Sequence, residues 1–107
     1  MKIDSSLMFE PTKVATMAPQ LEEAGFDGAY TFEGQSDPFI SVTAAAMTTQ
    51  KMELMTSIAV AFARNPMILA YLGNDLQNLS GGRFILGLGA QIKAHIERRF
   101  SMPWSKP

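Results

Sequence analysis

Few residues of this 107-residue chain could do chemistry, and they gather at the ends of apolar runs. Glu33 closes one such run and is followed by Gly34, Gln35, Ser36 and Asp37, so a carboxylate and several polar groups leave one strand end together. A carboxylate there can take up a proton or hold a polar substrate, but no imidazole follows it to share that work near neutral pH. Its simpler reading is a loop carboxylate, with Asp37 only capping the next helix. Gly87-Leu88-Gly89-Ala90-Gln91 closes another run. Small residues at this point let backbone amides approach a ligand closely, and the helix start beyond them favours an anion. Glycines in strands equally signal tight packing or a bulge. His95, the single histidine, lies between Lys93 and Arg98-Arg99. It reads more simply as a structural or solvated helix residue than as a base. The cations around it suit an anionic ligand, or simply the wet side of a helix. One histidine and scattered carboxylates show no metal-ligand spacing, and the absence of cysteine removes thiolate nucleophiles, thiolate metal sites and disulfides together.

The elements that must carry these residues alternate regularly. Four apolar stretches, Ile3–Met8, Gly28–Phe32, Leu54–Val60 and Phe84–Leu88, read as strands. The first intervening helix has Thr16 as its N-cap, Pro19 in its first turn and Gly25 as its stop; a longer helix from near Thr12 is the alternative, with Pro19 then kinking it. Asp37-Pro38 and Asn65-Pro66 each open a helix with a capping side chain and a proline at the first helical position, where its missing N–H costs nothing. The second of these places Met67, Ile68, Tyr71, Leu72, Leu76 and Leu79 on one face and stops at Gly81-Gly82. A last amphipathic piece carries Ile92, Ile96 and Phe100 and breaks at Pro103. The methionines at 8, 17, 47, 52, 55, 67 and 102 read as adaptable core fillers, and Phe62, Tyr71 and Trp104 as core or interface.

Alternating strand and helix calls for βαβ units and a parallel sheet. The strand starts lie about 25 to 30 residues apart, close to the roughly 31 per unit of an eight-unit barrel. The expected fold is therefore α/β, about four β/α units forming the N-terminal half of a TIM-type parallel barrel, with residues 1–107 as one partial domain. An open four-stranded parallel sheet is the alternative, but the usual nucleotide signatures are missing: Ile92 stands where a third glycine would follow Gly87 and Gly89, and no Walker lysine follows a glycine-rich loop. The chain stops at Trp104-Ser105-Lys106-Pro107 without a terminal helix or polar tail, which reads as an interruption.

Apolar residues make up 47% of the chain and charged residues 18%, a balance suited to a buried core. A net charge of −1 gives no basic excess for nucleic acid. Asp4 and the lack of an apolar h-region argue against a signal peptide, and the uncharged run Leu54 to Ala63 is far short of the roughly 20 residues that span a bilayer. A soluble, cytoplasmic protein without a nucleic-acid or membrane partner is expected.

Three segments, Glu22-Glu23-Ala24-Gly25-Phe26-Asp27-Gly28, Ala59 to Pro66, and Leu79-Ser80-Gly81-Gly82-Arg83-Phe84-Ile85-Leu86-Gly87-Leu88-Gly89, taken in this order, resemble the N-terminal portion of the luciferase-like monooxygenase superfamily. Gln91 to Trp104 resembles its deazaflavin-dependent oxidoreductase branch. The resemblance covers essentially the whole chain and about half of a family member. It implies an eight-stranded barrel with the cofactor, deazaflavin coenzyme F-420 or alternatively FMN, lying across the C-terminal strand ends. The implied activity is hydride transfer between the deazaflavin and a small organic substrate, with an FMN-dependent monooxygenase as the near alternative. In such enzymes the cofactor does the difficult chemistry while the protein binds, orients and tunes it.

The resemblance also places a bulge with a cis peptide bond at Ser57-Ile58, against the cofactor ring, and sets Gly89, Ala90 and Gln91 beside the same ring. Glu33 falls where many relatives have an acid followed by histidine; here Gly34 follows, so Glu33 stands alone as the implied catalytic residue lining the substrate side. The cations around His95 would face the anionic tail of the coenzyme. A different class of reading is a half-barrel without catalysis of its own, whose unpaired strand edges draw a second copy into a homo-oligomer.

Overall fold

The computed structural model describes residues 1–7 and 10–106. Met8, at the end of the first expected strand and among the expected core methionines, lies outside the described residues.

The chain runs β1 (Asp4–Ser6), α1 (Pro11–Glu23), β2 (Gly28–Thr31), α2 (Pro38–Thr48), β3 (Glu53–Thr56), β4 (Ala59–Val60), a 3-10 turn (Ala61–Ala63), α3 (Pro66–Ser80), β5 (Phe84–Ile85), β6 (Leu88–Gly89) and α4 (Lys93–Arg98). Strands β1, β2, β3 and β5 form one sheet in that order, every pair parallel. This is the sheet order of successive right-handed βαβ units, the start of a barrel rather than a nucleotide-binding sheet that reverses direction. The two long apolar runs that read as single strands are each divided. Beyond Thr56 and Ile85 the chain leaves the main sheet, and β4 pairs with β6 in a second small parallel sheet (Ala59 opposite Leu88, Val60 opposite Gly89). The cause lies in hydrogen bonds outside the ladder: Ser57 N–H donates to Thr31 O at 2.5 Å, and the Thr56 hydroxyl donates to Gly87 O at 2.8 Å while accepting from Gly87 N–H at 3.0 Å.

The local signals at the helix ends behave as their chemistry requires. Asp37 accepts from Phe39 N–H and Asn65 from Met67 N–H, each with proline following the cap, and Gly81 closes α3 at φ +66°, a conformation that other residues adopt only at a cost. The first helix follows the longer of the two expected forms. It begins at Pro11 rather than Thr16, so Pro19 sits inside it. Pro11 supplies the same N-terminal preference as the other two helix-opening prolines. The carbonyl of exposed Ala15, which Pro19 cannot serve, is left to solvent.

The core fills the space between sheet and helices. Ala29, Leu54 and Phe84 stand side by side across three strands, and Val14, Ala18, Phe39, Val42, Ala45, Leu69 and Leu76 close over them from α1, α2 and α3. The neighbouring row, Tyr30, Met55 and Ile85, points to the other side and is much less covered, with Ile85 45% exposed. On α3 the buried stripe is Leu69, Leu76 and Ser80, with Leu72 half-buried. Met67, Ile68, Tyr71 and Leu79, grouped from the sequence on the inward face, are all about half exposed or more. Only the first turns, Met67 to Leu72, are apolar all round, so there the pattern does not select one stripe, and docking on α2 and β5 does. Among the described methionines only Met52 is buried; Met47, Met67 and Met102 are exposed. On α4, Ile96 is fully buried while Ile92 is exposed. No helix among the described residues is long and apolar enough to cross a membrane.

The N-terminal ends of the strands carry a polar lock that sequence reading did not single out. All five guanidinium donors of Arg83 are used: Nε to Ser80 O, Nη1 to Thr49 Oγ1 and Met52 O, and Nη2 to Ala46 O and Thr49 O, between 2.6 and 3.3 Å. Beside it, Glu22 accepts from the backbone N–H groups of Gln50, Lys51 and Met52 at 2.8 to 3.1 Å. Burial pushes the Glu22 carboxyl up, but the three N–H donors and the Arg83 charge outweigh it and hold the group below the usual carboxylate range. In barrels, conserved chemistry at this end serves stability, whereas the opposite end serves catalysis.

Candidate functional site at the carboxyl ends of the strands

The opposite end gathers most of the residues singled out from the sequence. The Ser57-Ile58 peptide bond is cis, as the resemblance implied. Pairing of β4 with β6 then brings a segment 30 residues further along the chain against it. Ala59 N–H donates to Gly87 O at 2.9 Å, and the Ile58 side chain lies on Gly89 so closely that a β-carbon there would stand 2.5 Å from Ile58 Cδ1. At Gly87 a β-carbon would stand 2.0 Å from Thr56 O, so the two backbones touch at Gly87, while at Gly89 the backbone meets the Ile58 side chain. Ser57 is exposed and Ile58 and Ala90 are half-buried.

Gln91 behaves differently from its neighbours. It holds φ +59°, and its side-chain oxygen accepts from Ile92 N–H at 3.1 Å, so that oxygen is spent on its own loop. His95 sits half-buried on α4 and lines neither of the hollows described below.

Two hollows open here. One, about 400 Å³, lies between the ends of β1 and β2 and the start of α2, with Thr31, Phe32, Gly34, Gln35, Asp37 and Ser41 in its wall. The other, about 380 Å³, is apolar and lined by Ala61, Phe62, Leu88, Gly89 and Ala90, with Lys106 at its edge. Trp104 packs near Phe62, ring centres 6.4 Å apart, and its indole N–H is buried with no hydrogen-bond partner among the described residues.

Glu33 stands between these hollows and lines neither, although Phe32 and Gly34 on either side of it line the first. Its side chain is 9% exposed, forms an ion pair with Arg64 and accepts the Val60 N–H at 2.7 Å. Arg64, 12% exposed, also donates to Val60 O at 3.2 Å, approaches Asp37 at 3.5 Å and lies over the Phe39 ring at 5.0 Å. Sequence reading passed over Arg64. The available signal was its isolation: it is the one charged residue between Glu53 and Asp75. Arg99 donates to Gly34 O at 2.8 Å, so a second arginine, from the cationic end of α4, ties down the same loop. Among the described residues no cluster of histidine and carboxylates could hold a metal ion.

A parallel β/α sheet of barrel type, with Gly87, Gly89, the bulge and both hollows at the carboxyl ends of the strands, has the architecture of a β/α barrel with its site-bearing end formed. The family model of luciferase-like monooxygenases matches residues 3–107, and the chain belongs to that family. It is 54% identical over 107 residues to an uncharacterised protein of Mycobacterium tuberculosis, covering 100% of this chain and 32% of that one. It is 32% identical over 97 residues to the 5,10-methylenetetrahydromethanopterin reductase of Methanolobus tindarius, 89% of this chain and 29% of the relative. Among solved structures, the coenzyme F-420 dependent tetrahydromethanopterin reductase from Methanopyrus kandleri superposes with TM-score 0.75 at 30% identity over 92% of this chain and 29% of that one. The FMN complex of the oxygenating constituent of 3,6-diketocamphane monooxygenase from Pseudomonas putida gives 0.81 at 20% identity, covering 94% and 32%, a likeness of fold alone. The chain thus spans about a third of the length of these relatives, less than the half expected from the sequence.

Proposed function

We propose that this chain forms the ring-facing end of an oxidoreductase site that passes hydride between deazaflavin coenzyme F-420 and a small organic substrate. The observation that carries the reading is the meeting of Ile58 with Gly89 across the β4–β6 pair, beside an apolar hollow walled by Phe62, Leu88 and Ala90. A planar, largely apolar ring fits such a wall, because the small residues let it approach the backbone. Lys106 at the edge suits an anionic tail, and the unpartnered Trp104 N–H is a donor still to be satisfied. The deazaflavin, when bound, carries the hydride; the protein backs the ring, orients it and excludes water from one side.

An FMN-dependent monooxygenase is the alternative, supported at the level of fold by the FMN-bound neighbour. The two cofactors share a ring system and differ chiefly at one ring position and in the tail, so the ring wall itself discriminates poorly. Titration of the purified chain with coenzyme F-420 and separately with FMN, followed by absorbance and fluorescence, tests both. Saturable binding of the deazaflavin that Gly89→Ala abolishes is the expected result. Binding of FMN alone assigns the alternative, and binding of neither overturns the cofactor reading.

A second reading of another class rests on the edges. Strands β1 and β5 each have one neighbour, and Ile85, Leu86 and Leu88 are exposed beside the β5 edge. Pairing of two copies through these edges would cover them. A concentration-independent monomer in sedimentation would sink this reading.

A further inference from the structure

Glu33 and Arg64 hold the backbone just beyond the bulge from one side. Glu33 N–H donates to Ile58 O at 3.2 Å, Val60 N–H donates to Glu33 Oε1, and Arg64 Nη1 donates to Val60 O. On its other side, β4 is held by β6. Ile58 to Val60 is therefore fixed between a short strand and an ion pair, where an ordinary sheet would use a second strand. Arg64 is in turn seated over Phe39 and near Asp37 at the start of α2, so its position is set by a helix cap and a core ring rather than by solvent. Glu33 Oε1 already accepts two donors, one of them a guanidinium, and the side chain faces neither hollow. Both contacts fall on one carboxylate oxygen, so the side chain is fixed through Oε1 against the backbone beyond the bulge.

Resting on the cofactor reading above, we infer that Glu33 and Arg64 are a positioning pair. They set where Ile58 meets Gly89 and thereby the affinity of the ring wall. The pair acts through Val60 and Ile58.

Amide hydrogen exchange over residues 58–64, in parallel with F-420 and FMN titration, tests this on the full chain. Glu33→Ala and Arg64→Met are each expected to speed exchange of that segment at least tenfold relative to the rest of the sheet. The double variant should go no further, because the two residues act as one unit. Glu33→Gln keeps an oxygen for the Val60 N–H and should fall between wild type and Glu33→Ala, a graded rescue that a general loss of stability would not produce. Leu76→Ala, a core truncation, serves as the control in which exchange rises throughout. Cofactor affinity should fall in the same order as exchange rises. Additive effects in the double variant, or exchange of 58–64 that rises no more than in Leu76→Ala, overturn the pair. Failure of wild-type protein to bind either cofactor overturns the cofactor reading instead, and the exchange data still decide the positioning.

Discussion

Replacing Arg83 should cost this protein a large share of its stability, and the structure allows the cost to be worked out. The guanidinium gives five hydrogen bonds to the end of α2, the turn before β3 and the end of α3. Arg83→Met preserves the aliphatic stem but leaves four carbonyl oxygens and the Thr49 hydroxyl without this donor. Because Arg83 is only partly buried, water replaces some of what is lost. At about 0.5–1 kcal/mol for each of the five acceptors, the loss is about 3 kcal/mol, a large part of the roughly 5–15 kcal/mol that stabilises a domain. For a domain near this size that corresponds to a fall in Tm of about 15 °C. Arg83→Lys should lose nearly as much, since one ammonium cannot span acceptors that a planar fork reaches together. Thermal and urea unfolding followed by circular dichroism are the assays. A fall of less than about 4 °C for Arg83→Met would refute the reasoning, because it would mean that solvent serves these carbonyls as well as the guanidinium does.

The remaining expectations are quicker to state. Glu22 has its carboxyl held below the usual range in the folded state, so its contribution is fully present above the unfolded value near pH ~4.3 and is lost as pH falls through the lower folded value. Stability measured from pH 6 down to pH 3 should therefore fall less steeply in Glu22→Gln, which at pH 6 should be weaker than wild type by about 1–2 kcal/mol after allowance for solvent screening. Gly87→Ala places a β-carbon 2.0 Å from the Thr56 carbonyl oxygen, a backbone atom that cannot swing away, and should destabilise by about 3 kcal/mol or more in the same unfolding assay; a neutral result would mean that β5 and β6 do not lie as described. Asn65→Ala removes the cap of Met67 N–H and should cost about 1 kcal/mol, read as a small shift in urea midpoint.

Much of this protein was legible from the chain alone wherever the controlling interaction is local. Asp37-Pro38, Asn65-Pro66 and Gly81 set helix ends because cap and capped group lie within three residues of each other. The repeat of strand and helix led to a parallel sheet, and the ordered motifs around Gly25, Arg64 and Gly81 led to the family. The start of α1 stayed open between Thr16 and a point near Thr12 because Pro19 fits either the first turn or a helix interior, and burial of Val14 goes with the longer form. Tertiary structure decided which side of the first turns of α3 is inside, since the run Met67 to Leu72 has no preferred side until it meets α2 and β5. It also decided the partners of the charged residues: Glu22 with amides 28 to 30 residues away, Arg83 with carbonyls up to 37 residues away, and Glu33 with Arg64, 31 residues away. Such pairings leave no periodicity to read, because they depend on where the sheet sets whole segments side by side. The same is true of Glu33, whose residue type suggested an acid and whose Oε1 the fold sets against Val60 N–H and Arg64.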